Sequence, residues 1–278
     1  MKNGLEKALF VAKPVKLAAD VDRIYFGNEF CENLIPDLQS VQEVFSWAGT
    51  SNVGFTFVTP FVTNSGLNLL ENILSFLDSQ RGCEVVFNDW GVCRQLKNRF
   101  KNLIPVAGRL LTKQRRDPRM LNIFESKRDF IEKKSPDGTK RKILIRKPVP
   151  AGLFEHYQGS VVNVPAFQEY LSSNGIKMVE IDNLVWKMRV DLPERIGVSI
   201  YLPYGYISTS RMCGKLTLTY KACGQECRKY YFELTDPSLP VPIYGIGNSV
   251  FYRSKTPSAA YLKRMGVTRV VYQSRLAF

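Results

Sequence analysis

Short runs rich in β-branched and aromatic residues alternate along this chain with stretches whose apolar side chains recur every three or four positions. No other feature restricts the fold as much. Strands are predicted at Ala8–Ala12, Arg23–Gly27, Val53–Val58, Glu84–Phe87, Ile104–Ala107, Met178–Ile181, Val198–Leu202 and Val267–Tyr272, with a further run at Ile243–Val250. Leu34, Leu38, Val41 and Phe45 mark one face of a helix, and the same spacing predicts helices at Leu67–Leu77, Val92–Asn102, Val164–Ser172 and Asn183–Val190. Val15–Ala19 is a short amphipathic stretch. Repeated strand–helix units with short turns bring each strand back parallel to the last. An open doubly wound sheet and a closed barrel both satisfy that pattern, and about eight units in 278 residues favour closure. The fold expected is α/β, a TIM-like (β/α) barrel, regular or distorted and incomplete, in one domain over 1–278.

The alternation breaks after Arg109. Residues 112–159 read as a charged insertion following the fifth strand, with a turn at Ser135-Pro-Asp-Gly138 and a short extra strand at Lys142–Arg146. From Arg109 to Lys147, fourteen Lys and Arg face five Asp and Glu, a net +9 within a chain of net +14. Such a block suits an anionic partner, whether RNA, a phosphate or carboxylate substrate or an acidic protein, and it equally suits a solvated loop. No DNA-binding motif is present. Lys13 interrupts the apolar residues near the N-terminus, and no window reaches the roughly 20 apolar residues of a membrane span. The expectation is a soluble, cytoplasmic protein.

Six cysteines in a chain of this length do not make a disulfide scaffold. Cys213, Cys223 and Cys227 cluster, and Cys31 lies just beyond the second predicted strand. The βα loops of a parallel barrel gather on one face, so thiolates far apart in sequence can meet there. Four soft ligands suit an iron–sulfur cluster or zinc, although the spacing lacks the paired knuckles of a zinc ribbon. Buried cysteines of the core are the competing reading, and Cys83 and Cys93 fit it.

Other candidates stand at predicted strand ends. Asp89 could serve as acid or base, or as the cap of the helix it precedes. Arg109 and Arg119 suit a carboxylate or phosphate held by paired hydrogen bonds, or an ion pair with Asp117 or Glu125. Trp90, Tyr204 and Tyr206 suit stacking on a ring, or ordinary core packing. Asn88, Arg115, Arg116 and Arg211 complete the set of substrate-binding candidates, with Asp89, Arg109 and Tyr204 as catalytic ones. The only histidine is His156, and neither H-E-x-x-H nor G-x-S-x-G occurs.

In order along the chain, Asn88-Asp-Trp-Gly91, Gly108-Arg-Leu-Leu-Thr-Lys-Gln-Arg-Arg-Asp-Pro-Arg119, Leu202-Pro-Tyr-Gly-Tyr206, Ser210-Arg-Met-Cys213 and Cys223-Gly-Gln-Glu-Cys227 resemble signatures of the collagenase-like peptidase family U32. The resemblance spans Arg23 to about Tyr272. Its better-understood members include the paired proteins of oxygen-independent ubiquinone hydroxylation and enzymes that hydroxylate bases in tRNA and ribosomal RNA. The ubiquinone pair binds 4Fe-4S clusters through four cysteines, one of them in an early Leu-Gly-x-x-x-Cys turn. Phe26-Gly27 and Cys31 match that turn, and Cys213, Cys223 and Cys227 match the later group. The resemblance implies a barrel with a 4Fe-4S cluster on these four cysteines, zinc being the alternative. It also implies oxygen-independent hydroxylation, or a related modification, of an RNA base or a small aromatic or quinone precursor. A collagenase-like peptidase, or a non-catalytic cluster-binding subunit paired with a second barrel protein, are the alternatives. One departure is Tyr204-Gly-Tyr206, where many larger members carry an earlier cysteine.

Overall fold

The computed structural model describes residues 4–125, 129–146, 149–213 and 223–273. Eight parallel strands close into a barrel: β1 (Glu6–Val11), β2 (Arg23–Gly27), β3 (Gly54–Val58), β4 (Glu84–Phe87), β5 (Ile104–Ala107), β8 (Met178–Asp182), β9 (Gly197–Leu202) and β14 (Val267–Gln273). The ring runs β1-β14-β9-β8-β5-β4-β3-β2, which bears out the expected TIM-like barrel. Helices α1 (Leu38–Thr50), α2 (Asn64–Ser79), α3 (Trp90–Asn98), α6 (Pro165–Ser173) and α7 (Ala259–Arg264) lie between the strands. No helix among the described residues is long and apolar enough to cross a membrane.

Side chains alternate across the strands, as a sheet buried on both faces requires. Ile24, Phe26, Phe57, Val85, Phe87, Val179, Ile181, Val198, Ile200 and Val270 join the large core shared with the helices. Their neighbours Ala8, Phe10, Tyr25, Val58, Val86, Val106, Tyr201 and Val271 form a separate cluster within the ring. At the N-terminal end of the strands the interior is ionic. Arg269 donates from Nη1 and Nη2 to Glu84 at 2.6 and 2.9 Å, from Nη1 to the Tyr25 hydroxyl at 2.9 Å and from Nε to Glu6 at 2.6 Å. Arg23 Nε donates to the other Glu6 oxygen at 2.6 Å. Burial pushes the Glu84 carboxyl up, but the hydrogen bond and charge of Arg269 and the charge of Arg23 outweigh it and hold the group below its ordinary range.

Three departures from the sequence pattern bear on the site. The run predicted as one strand at Ile243–Val250 is a hairpin of β12 (Ile243–Ile246) and β13 (Ser249–Arg253), turning at Gly247, whose φ of +57° suits glycine. With β10 (Tyr204–Thr209) and β11 (Phe232–Leu234) they form an antiparallel sheet in the order β10-β13-β12-β11, reached directly from the C-terminal end of β9. Asn183–Val190 is irregular rather than helical, because the Asn183 side chain and the Met188 amide are bonded outside the segment. The Asn183 amide donates to Ser254 Oγ and the Lys255 carbonyl at 2.9 and 2.8 Å, and the Tyr261 hydroxyl accepts from Met188 N at 3.1 Å. The charged insertion contains α4 (Met120–Phe124), α5 (Ala151–Gln158) and a hairpin of β6 (Asp129–Lys134) and β7 (Lys140–Arg146), one strand more than predicted. Val15–Ala19 forms no helix.

Replacing Arg269 by Met is expected to cost about 3–5 kcal/mol, since it removes the main partner of the buried Glu84 carboxylate. Arg99→Ala, which opens an exposed pair with Glu71, is expected to cost under about 1 kcal/mol. Urea denaturation of both variants measures the difference, and equal costs would contradict an ionic barrel floor.

Candidate functional site

At the opposite, C-terminal end of the barrel, the loops converge on the cysteines. β2 ends at Gly27, whose φ is +133° and where a Cβ would stand 2.1 Å from the Val58 carbonyl oxygen, so only glycine fits. The chain then turns around Asn28, whose Oδ1 accepts from the amides of Phe30 and Cys31 at 2.9 and 2.8 Å. Asn248, just past the β12 turn, donates from its amide to the carbonyls of Phe30 and Ser210 at 2.6 and 2.5 Å. That side chain ties the loop of Cys31 to the segment leading to Cys213. Gln225, in the left-handed region at φ +51°, donates to the Asn33 carbonyl at 2.5 Å and ties the Cys223–Cys227 turn to the same loop.

These bonds draw together the segments that carry Cys31, Cys213, Cys223 and Cys227. The Cys31 thiol is pushed up by burial and then by the charges of Cys223, Cys227 and Cys213. Cys227 is pushed up by burial and by Cys223 and Cys213. Gly247 leaves room for Cys227, since a Cβ there would sit 3.2 Å from the cysteine Cβ and 3.5 Å from its Sγ. Among the described residues no three His, Cys, Asp or Glu side chains are grouped as a single metal ion requires. Cys83 and Cys93 are buried in the main core, apart from this group.

Beside the thiols, a cleft of about 100 Å³ is lined by Phe30, Cys31, Phe61, Thr63, Arg211 and Asn248, among others. Arg211 is 64% exposed, stands over the Phe61 ring at 5.8 Å and lies 3.8 Å from Asp89. Asp89 caps α3, accepting from Gly91 N at 2.7 Å, and its second oxygen accepts from Val62 N at 3.4 Å. The structure thus shows the cap, and the same carboxylate faces Arg211.

Arg109, Arg116, Tyr204 and Tyr206 meet in a different place, under the end sheet. Arg109 is fully buried and forks onto Glu29 at 2.9 and 2.6 Å, with Nη1 donating to Asp182 at 2.7 Å and to the Tyr204 carbonyl at 3.2 Å. Arg116 Nε donates to the other Asp182 oxygen at 2.7 Å, and its guanidinium lies 4.1 Å from the Tyr206 ring centre. Two cations face two anions, and each guanidinium is occupied by the protein's own carboxylates. Burial pushes the Glu29 carboxyl up, and Arg109 opposes that. These arginines were expected to hold a substrate anion. Here they hold the site together, and Glu29 and Asp182 are the partners the sequence did not single out for Arg109.

The remaining candidates lie outside both groups. Asn88 brackets a turn, accepting from Leu110 N at 3.1 Å and donating to the Thr59 carbonyl at 2.9 Å. Trp90 packs edge-on against Tyr170 at 5.4 Å. Arg115 donates to the Gly159 carbonyl at 3.2 Å, and Arg119 is paired with Asp117 at 2.6 Å rather than with Glu125. His156 is exposed on α5.

Beneath Arg109 the ring of Tyr201 stacks on the guanidinium at 3.8 Å, and its hydroxyl donates to Glu180 Oε2 at 2.9 Å. Burial, reinforced by the charge of Glu29, pushes the Glu180 carboxyl up to about 8, so it is largely protonated at pH 7. An unfolded chain releases that proton near its ordinary value of 4.5. The stabilising contribution is therefore complete below that pH, falls as pH rises toward 8 and levels off above it, a span of about 5 kcal/mol. Glu180→Gln is expected to flatten this dependence and to be more stable than the parent at pH 9. Denaturation midpoints at pH 5, 7 and 9 test it, and parallel profiles for the two proteins would contradict it.

No family model and no curated protein matches the sequence. Among solved structures the chain is similar to one described as the U32 peptidase Mk0906, at 9% identity and a TM-score of 0.45, over 99% of this chain and 95% of that one. It is also similar to a glycoside hydrolase family 18 N-acetylglucosaminidase from Paenibacillus barengoltzii, at 10% identity and a TM-score of 0.39, over 99% and 95% of the two chains.

Proposed function

We propose that this protein carries an iron–sulfur cluster on Cys31, Cys213, Cys223 and Cys227 and supports an oxygen-independent hydroxylation, or a related modification, of an anionic substrate at the adjoining cleft. One observation carries the reading: three chain segments bring Cys213, Cys223 and Cys227 near enough to Cys31 for their charges to add to burial in pushing its thiol up, and Cys223 and Cys213 act likewise on Cys227. Thiols that repel each other as thiolates favour a cationic occupant, and four soft donors match a cubane's requirement. A cubane is larger than a single ion, so its ligands stand further apart. The cysteine spacing, which lacks the two paired knuckles of a zinc ribbon, favours the cluster over zinc.

When bound, such a cluster supplies one-electron transfer at the mouth of the barrel. The chain's own residues do the rest. Arg211, exposed at the rim of the cleft, provides a guanidinium for a phosphate or carboxylate group. The Phe61 ring supplies an apolar wall for a flat substrate, and Asp89 orients the Arg211 guanidinium beside it. Lys133, Lys134 and Lys140 on the insertion's hairpin are exposed and add positive potential that draws an RNA or other anion toward the protein.

Iron and acid-labile sulfide analysis with absorbance spectroscopy on anaerobically purified protein tests the reading. About four irons and four sulfides per chain are expected, with loss of both in a Cys223→Ala, Cys227→Ala double variant. Protein that stays free of iron and sulfide after anaerobic reconstitution, or that takes up zinc instead, would contradict it.

A further inference from the structure

The insertion after β5 is pinned at both ends to the mouth face of the barrel. Phe124, at the end of α4, packs edge-on against Phe154 and Tyr157 of α5 at 4.9 and 5.5 Å and against Trp186, in the loop after β8, at 5.6 Å. Asn122 also donates to the Ser238 carbonyl at 2.8 Å. Between these anchors β6 and β7 pair only with each other among the described strands, and from 130 to 144 every residue except Ser135 is exposed. A two-stranded ribbon with both faces in water is only marginally stable by itself.

The register of this ribbon adds repulsion. Lys133 lies opposite Arg141 and Lys134 opposite Lys140, two consecutive pairs of like charge. Like charges directly opposed across two strands destabilise the pair. Asp137 and Glu132 face Arg141 and Lys142 at 3.9 and 4.0 Å, which leaves Lys133, Lys134 and Lys140 without an ion-pair partner among the described residues. Successive pairs along a ribbon point to opposite faces. Lys133 and Arg141 therefore share one face, and Lys134 and Lys140 share the other. Nothing in the sequence marks this arrangement, because it exists only once the strands are in register.

An anionic occupant relieves the repulsion, and the two faces select its kind. A flat surface, such as an anionic bilayer or an acidic patch on a protein, meets one face and leaves the other like-charged pair as it was. A groove walled by phosphates meets both. The major groove of B-form DNA, about 12 Å wide, admits a two-stranded ribbon, whereas that of duplex RNA is too deep and narrow. We infer that the β6–β7 hairpin is a DNA-binding arm that enters the major groove, with Lys133 and Arg141 on one face and Lys134 and Lys140 on the other meeting the phosphates. The inference goes beyond the proposed reaction and does not rest on the cluster.

Fluorescence anisotropy of the full chain with a labelled DNA duplex tests it. The parent is expected to bind with a dissociation constant of about 1–100 µM at physiological salt, weakening steeply as salt rises. A Lys133→Ala, Arg141→Ala variant and a Lys134→Ala, Lys140→Ala variant are each expected to weaken binding at least about tenfold and to flatten the salt dependence by about two phosphate contacts. Lys97→Ala, Lys101→Ala, which removes the same charge at and just past the C-terminal end of α3, is expected to bind as the parent does. Circular dichroism confirms that each variant is folded. An RNA duplex of the same sequence, the single DNA strand and phosphatidylserine vesicles are expected to compete more weakly than unlabelled DNA duplex. A parent that does not bind the duplex would overturn the inference. So would an equal loss in the α3 variant, sensitivity to only one face of the hairpin, or competition by the RNA, the single strand or the vesicles that matches the DNA duplex.

Discussion

The site depends on the ionisation of Arg109. A guanidinium with no exposed surface is tolerable only if its charge is met and its hydrogens are used, since an unpaired buried ion costs several kcal/mol. Glu29 comes from the loop after β2, Asp182 from the end of β8, the Tyr204 carbonyl from β10 and the stacked Tyr201 ring from β9. One side chain thereby fastens four segments around the barrel mouth, and Arg116 completes the charge balance from the other side of Asp182. Glu29 stands two residues before Cys31, so the same ion pair anchors the loop that carries the first thiol.

Above that network, smaller polar contacts finish the work. Asn28 shapes the loop carrying Cys31, Asn248 joins it to the segment before Cys213, and Gln225 joins it to the Cys223–Cys227 turn. Each of these bonds runs to a main-chain group, so it sets the position of a loop rather than of a side chain. The thiols are thus brought together by the protein's own bonding, with burial and mutual repulsion holding Cys31 and Cys227 in the protonated form. Arg211 and Asp89 stand at the edge of these loops.

Much of the barrel was legible because its strands are apolar on both faces and its helices keep a regular stripe. Asn183–Val190 misled because Leu184, Met188 and their neighbours keep helical spacing, while hydrogen bonds from Asn183 and Tyr261 hold an irregular path. The hairpin at Gly247 was hidden inside an otherwise apolar run. In the site, the cysteines stood out by clustering in the sequence, and the loops that carry them lie on the shared face of the barrel. Asn248, Gln225 and Glu29 did not, since a lone polar residue has no spacing to betray it and its partner lies far along the chain. The sequence marked Arg109 as a carboxylate binder. That was sound chemistry, but the carboxylates belong to Glu29 and Asp182 rather than to a ligand.

The central claim concerns what the four thiols hold, and iron K-edge X-ray absorption on the anaerobically loaded protein tests it most directly. The account predicts iron surrounded by sulfur alone, with iron–iron scattering from a second shell, and loss of that signal in the Cys223→Ala, Cys227→Ala variant. Iron bound mainly through oxygen or nitrogen, with no iron–iron distance, would contradict it.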